Sequence, residues 1–511
     1  MEISLSPLEF TPRNNSTSVA PATAAPSLEV RGDVPAVVVT ITPPVETPAV
    51  YSEPVTVVSY LRDKSHTGTA AQATNQALLG SLAQIKNGKA PVAVSHLFSQ
   101  VAALGRETGE YRNEVREFRV PSRVAVDKFT PDFTAAKGKR MESVFLSLRT
   151  RDGDNIHIQF GRNTIRDGTS VMTFSFEVEG ELSEGEHQAL AALMEKLGAM
   201  GDEFFRSDTT ELRGLKELDR DFIAGFSFKL QRYNPATDSY VEHSYEYRVD
   251  EVAQTQTLRA GDVNGYQVDI TTQLSRLADQ ASLEAGLLQA YLDLIAHAAD
   301  KSSAPNASTR FMLDAFSSLF DGYLTLATEK AGLTLTQANL AAFDSGMPDF
   351  SASFRSPVYH NPGFYSQIAA MSLTMEQQTR REQTGENQLV KQQTGYQLSY
   401  SKFANIPNQA LDMLGGFYTY IQERESAETN RILSMTGDRV NNLWVEQEAD
   451  RETTRLRFEN YKLVDKEAYS YGDRQLEEYA ELLKKLNANN QHSAVHELLM
   501  ASKGNIFLNL M

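Results

Sequence analysis

The segment Met141–Phe160, MESVFLSLRTRDGDNIHIQF, decides how the rest of the chain is read. Val144, Leu146 and Leu148 alternate with polar neighbours, Phe145 excepted, and Ile156, Ile158 and Phe160 alternate with His157 and Gln159. A side-chain period of two puts successive residues on opposite faces of a strand, so each run predicts a strand with one apolar face. The DGD between them, Asp152–Asp154, supplies the glycine and short acidic side chains of a tight turn. Together they predict a hairpin.

The same alternation continues downstream. Met172, Phe174, Phe176 and Val178 alternate with Thr173, Ser175, Glu177 and Glu179, and Phe226, Phe228 and Leu230 alternate within FSFKLQ. Four such runs predict an antiparallel sheet covered on one side. The cover is expected between the third and fourth runs. Ser183 stands three residues before Glu186, the spacing of a capping box, and Leu190, Leu193, Met194, Leu197, Gly201 and Phe204 share one helical face. A second short helix is expected in TELRGLKEL (210–218). The five glutamates and one histidine of EVEGELSEGEH (177–187) then read as strand exterior and helix start, where negative charge meets the positive end of the helix dipole. The competing reading is a divalent-cation site using Glu184 and Glu186.

ESVFLSLRTRDGDNIHIQF, FSFEVEGELSEGEHQALAALMEKLGAMGDEFFRSD and DFIAGFSFKLQ together resemble an uncharacterised proteobacterial domain family, in which a TxDGD hairpin precedes a VEGEL–acidic–helix–FF segment and a closing strand. The resemblance covers residues 143–231, with Ser207-Asp208 where the family pattern has Gly-Asp. It implies a bacterial origin and a sheet with helices, and carries no activity with it.

The 511 residues exceed what one core usually holds, and 41% hydrophobic with 23% charged content is that of a globular protein. Residues 1–53 are expected to be a disordered Pro/Thr/Ala-rich tail, since eight of the 18 prolines lie in the first 50 residues and no lysine precedes Lys64. A helical pair is expected over 54–120, the antiparallel α+β domain over 141–275, and a helical segment over 279–345. Residues 364–511 are expected to form a long hairpin (364–403) and a helical C-terminal region. Leu411, Leu414, Tyr418 and Ile421 keep helical spacing, 424–470 is undecided by periodicity, and DRQLEEYAELLKKLNANN (473–490) reads as helix. The fold class is therefore α+β: an antiparallel sheet with a two-helix insertion, plus helical segments and a C-terminal hairpin and helices.

Composition removes whole classes of chemistry. The absence of cysteine excludes disulfides, thiol catalysis and thiolate zinc sites. A net charge of −17 opposes binding to nucleic acid, and the one basic run, KGKR (137–140), is short. No apolar run reaches the roughly 18 residues of a transmembrane helix. The start, MEISLSPLEF, lacks the basic and apolar regions of a cleaved secretory signal, so a cytoplasmic location or leaderless export is expected.

What remains for chemistry is sparse. His492 and His496, four apart with Glu497 adjacent, would share a helix face as a zinc pair does, but the HExxH order and a third ligand are missing. The RGD at Arg31–Asp33 and the SxxK at Ser399–Lys402 lack any supporting motif, and neither GxSxG nor a phosphate loop occurs. No cofactor is implied. The expected role is non-catalytic, structural or protein-interacting, through a protein partner or self-association on surfaces such as Tyr396–Phe403. The alternatives are an exported protein or effector and a hydrolase with scattered Asp, Glu and His residues.

Overall fold

The computed structural model describes residues 55–86, 93–135, 138–165, 167–207, 218–219, 221–262, 265–275, 283, 285–324 and 333–503. The tail expected over 1–53, its RGD, and nearly all of the second insertion helix expected at 210–218 lie outside them.

The alternating runs are strands. β3 (Lys139–Thr150) and β4 (Asn155–Thr164) pair in the expected hairpin, with Leu146 opposite Ile158 and Leu148 opposite Ile156. Gly153 takes φ +103° in the turn, a backbone conformation that side-chain-bearing residues rarely adopt. β5 (Ser170–Glu179) pairs β4, and β6 (Ile223–Asn234) pairs the other side of β3.

The sheet does not stop there. Upstream lie β1 (Val55–Leu61) and β2 (Glu110–Pro121). Downstream come β7 (Ser239–Asp250), β8 (Thr255–Asp262), β9 (Gln267–Gln273), β10 (Phe350–Arg355) and a short β11 (Tyr359–Asn361). They are followed by β12 (Phe364–Thr384), β13 (Asn387–Ala404), β14 (Tyr418–Thr436), β15 (Arg439–Glu459) and β16 (Lys462–Glu478). All join one antiparallel sheet in the order β1-β2-β5-β4-β3-β6-β7-β8-β9-β10-β12-β13-β14-β15-β16, with β11 pairing β12. The last five strands are 17 to 21 residues long, several times the usual strand, and form a ribbon of hairpins.

Helices cover one face. α1 (Thr69–Lys86), α2 (Val94–Phe98), α3 (Val101–Glu107) and α4 (Glu184–Ser207) lie over the first strands. α5 (Ala285–Ser302) and α6 (Asn306–Leu324) lie over the middle, and α7 (Leu335–Phe343), α8 (Ala480–Ala488) and α9 (His492–Ala501) pack over the turn end of the ribbon. Every α4 residue expected on the inner face is buried. Each fully buried Leu or Phe there contributes roughly 1.5–3 kcal/mol. Gly198 lets α4 touch α2: a Cβ there would come within 2.7 Å of the Ser95 Cα. Asp202 fixes the same contact by accepting from the Ser95 amide (3.2 Å) and hydroxyl.

Three expectations need correction. The helical pair over 54–120 is α1 to α3 framed by strands β1 and β2, and EYRNEVREF (110–118) is extended. Tyr111 and Val115 are buried on the helix side while Glu114 and Arg116 are buried on the other, so burial on both faces hid the period of two. Leu411 and Leu414 sit in the loop before β14, where Tyr418 and Ile421 alternate instead of sharing a helix face. Residues 473–478 belong to β16, and the helix begins only at Ala480. The undecided stretch 424–470 is strand apart from its turns.

Candidate functional site

The acidic cluster is a helix start. The Ser183 amide and hydroxyl both donate to Glu186 Oε2 at 2.8 Å, and the Glu186 amide returns a bond to Ser183 Oγ at 3.3 Å. This is the reciprocal capping box. Glu186 is 2% exposed, so its carboxylate lies inside the protein and not in solvent. Glu184 is exposed and ion-paired to Arg106 at 2.7 Å, whose hydrogen bond holds its carboxyl below the usual glutamate range. His187 is buried, and burial followed by the nearby Arg106 charge lowers its pKa, so the ring is neutral at physiological pH.

His492, His496 and Glu497 are all exposed on α9. Among the described residues, no group of three or more His, Asp or Glu side chains is placed to hold a metal ion. His157 is exposed on the sheet's open face, as its polar position predicts. The Asp221 amide donates to Asp219 Oδ1 at 3.1 Å. Ser399 and Lys402 of the SxxK match both lie in extended β13.

Two polar clusters carry no sequence signature. Under the C-terminal end of α5, Glu425 on β14 is 3% exposed. It accepts from Lys301 Nζ (3.2 Å), Arg451 Nη2 (2.9 Å), Arg451 Nε (3.1 Å) and the Tyr396 hydroxyl (2.6 Å). Glu423, two residues earlier and on the same face, accepts from Lys301 Nζ and the Thr453 hydroxyl, each at 3.0 Å. Burial alone would raise the Glu425 carboxyl, but the Tyr396 hydroxyl and the Lys301 and Arg451 charges hold it below the usual range. Burial likewise pushes the Tyr396 and Tyr400 hydroxyls far up, with the Glu425 and Glu423 carboxylates adding to it. Two cations face two carboxylates, and both tyrosines stay protonated. The cluster clamps α5 to three strands, and His297 of α5, which feels the Lys301, Glu425 and Arg451 charges, keeps a buried Nε2 without a hydrogen bond.

The second cluster surrounds His243 on β7, which is 2% exposed. Its Nδ1 lies 3.3 Å from the Tyr245 hydroxyl, and its Nε2 lies 3.3 Å from the Tyr266 hydroxyl and 3.7 Å from Asp262 Oδ2. Burial lowers its pKa to about 4. Phe204 of α4 covers the ring, with centroids 4.8 Å apart. This is a core site: the imidazole is enclosed by Tyr245, Tyr266, Asp262 and Phe204.

The opposite face of the sheet is different. Because opposed residues of an antiparallel pair share a face, the ladders trace a row from Ser227 through Glu246, Arg259, Asp269, Ser353, Thr374, Gln397 and Ser426 to Asp450. All are exposed or half-exposed. Shallow hollows of about 440 Å³ near Arg112, His157 and Lys229, and about 260 Å³ near Thr374, Gln397 and Ser426, lie on this face. It is covered at its ends. Near β2 the loop 122–135 folds over Arg116, which donates to Ala135 O (3.0 Å) and lies over Phe133. At the other end β11 and the loop 405–417 shelter Tyr418, whose hydroxyl donates to Gln367 at 2.7 Å.

The chain matches no family model, no curated protein and no solved structure. No described helix is long and apolar enough to cross a membrane.

Proposed function

We propose that this protein is a non-catalytic structural or interaction protein whose broad sheet holds a protein partner. One observation carries the reading: the row of Ser, Thr, Gln and charged side chains from Ser227 to Asp450 crosses the sheet with no element over it among the described residues, while the described helices lie on the other side. A water-exposed polar sheet face of this extent offers many hydrogen-bonding positions and no enclosed volume for chemistry. Three of the buried acids and bases, Glu425, Glu423 and His243, support the same reading, because their bonding capacity is taken up inside the protein.

The test is site-specific photo-crosslinking in the source organism, with the reactive residue at Thr374 or Ser426. The expected result is one discrete adduct with a single protein. Absence of an adduct from either position, together with turnover in a general hydrolase panel that is lost in His492→Ala or His496→Ala, contradicts the reading and favours a hydrolase.

A further inference from the structure

β16 is the last strand of the sheet and pairs with β15 alone. Sixteen of its 17 residues are exposed, Asp473 being half-buried. Its outer edge therefore carries a row of backbone N–H and C=O groups with no ladder among the described residues. Such an edge templates a further strand unless something prevents it.

The charges along KLVDKEAYSYGDRQLEE prevent one partner, a second copy of itself. Two copies related by a two-fold axis normal to the sheet pair antiparallel, with residues equally spaced from the centre opposite each other. Centred on Ser470, Lys466 faces Arg474 and Glu467 faces Asp473. Centred on Tyr469, Asp465 faces Asp473, and centred on Tyr471, Asp465 faces Glu477. Every centre from Val464 to Gln475 opposes at least one pair of like charges. Like charges directly opposite destabilise a ladder. A parallel two-fold pairing sets each charge beside its own copy.

The side of β16 that faces the helices has a distinct chemistry. Opposite Arg457, Arg455, Ala449 and Val445 stand Asp465, Glu467, Asp473 and Glu477, with Tyr469 and Tyr471 between them. None of the four acids is ion-paired among the described residues, although Glu467, Asp473 and Glu477 each accept one hydrogen bond, from Tyr469, Gln475 and Tyr479. Acids therefore stand at four of the seven positions on this side from Asp465 to Glu477, beside a backbone edge with no ladder among the described residues. The matching ligand is an extended chain with cations at alternate positions, held by backbone hydrogen bonds as well as charge.

We propose that the free edge of β16 binds an extended segment of another protein, carrying Lys or Arg at alternate residues, by strand addition. This rests on the interaction reading above and adds to its open face a second contact at the sheet's edge.

The probe is a capped twelve-residue peptide of repeated Lys-Val-Lys-Thr, titrated onto the full chain and followed by fluorescence anisotropy. Three comparisons decide. The quadruple variant Asp465→Lys, Glu467→Lys, Asp473→Lys, Glu477→Lys is expected to bind at least tenfold more weakly, as is a peptide with Glu in place of Lys. Peptides N-methylated at alternate residues keep the charge but block one backbone edge. One of the two alternations is expected to lose at least tenfold in affinity, and this arm stands even if the quadruple variant fails to fold. Equal binding of both methylated peptides, or no binding of the parent, overturns the proposal. So does a dimer in sedimentation that the quadruple variant dissolves. A photo-adduct at Thr374 or Ser426 that persists despite such a result leaves the interaction reading standing, so the two fail separately.

Discussion

Tyr396 on β13 donates its hydroxyl to Glu425 on β14 at 2.6 Å, and that carboxylate also receives the ammonium of Lys301 from α5 and the guanidinium of Arg451 from β15. One side chain thus ties a helix to three strands. Taking two cations out of water is costly, and the cost is offset only while the carboxylate is present. Glu425→Gln is expected to lower unfolding free energy by about 3–5 kcal/mol, because it leaves Lys301 and Arg451 half-buried against one remaining carboxylate. Tyr396→Phe removes only one charge-assisted hydrogen bond and is expected to cost about 1.5–3 kcal/mol. Denaturant unfolding of the two variants checks the order; equal losses contradict it.

Acid should weaken the same cluster. The Glu425 pKa is lower in the folded chain than in the unfolded one, so its contribution is full above the ordinary glutamate value and is lost as pH falls through the folded value. Glu425→Gln is expected to flatten the acid limb of the stability curve below about pH 4.5.

His243 acts at higher pH. Its folded pKa is about 4 against 6.5 when free, so between these values the unfolded chain binds the extra proton. Stability should fall as pH drops from 6.5 towards 4, by about 3 kcal/mol in all. The imidazole is faced by Tyr245, Tyr266 and Asp262, with Phe204 from α4. His243→Gln is expected to remove the slope in that window while lowering stability at neutral pH. A slope that survives assigns the titration elsewhere.

Two glycines separate packing from helix propensity. A Cβ at Gly198 would strike the Ser95 backbone, so Gly198→Val is expected to cost about 3 kcal/mol by forcing α4 away from α2. Gly80 in α1 has nothing within 4 Å of the same position, and Gly80→Ala is expected to stabilise by about 0.5–1 kcal/mol. Thermal unfolding of both variants gives the comparison directly.

The α9 histidines should be inert. His492→Ala with His496→Ala is expected to shift stability by no more than about 0.5 kcal/mol, and elemental analysis of the purified chain should show no stoichiometric metal that the double variant lacks.

The first hairpin was legible because Leu146, Leu148, Ile156 and Ile158 all lie on the helix-covered face while the residues between them, Ser147, His157 and Gln159 among them, face water. β2 was not, because Glu114 and Arg116 are buried on the face where polar residues normally signal solvent. β14 and β15 were hidden for a related reason and β16 for the opposite one. β16 is exposed on both faces, and the covered faces of β14 and β15 hold Glu425, Arg431, Gln447 and Arg451 among the apolar residues, which blurs the period of two. The capping box at Ser183 was readable from a three-residue spacing, whereas Lys301 and Glu425 meet across 124 residues of chain and leave no local trace.

Hydrogen exchange resolved to single amides of β16 is the most direct measurement. In the dilute free chain, the amides facing β15 should be protected and those at alternate positions on the outer edge should exchange rapidly, becoming protected when the Lys-Val-Lys-Thr peptide is added. An outer edge already protected in the free chain, or one left unchanged by the peptide, contradicts a vacant acceptor strand.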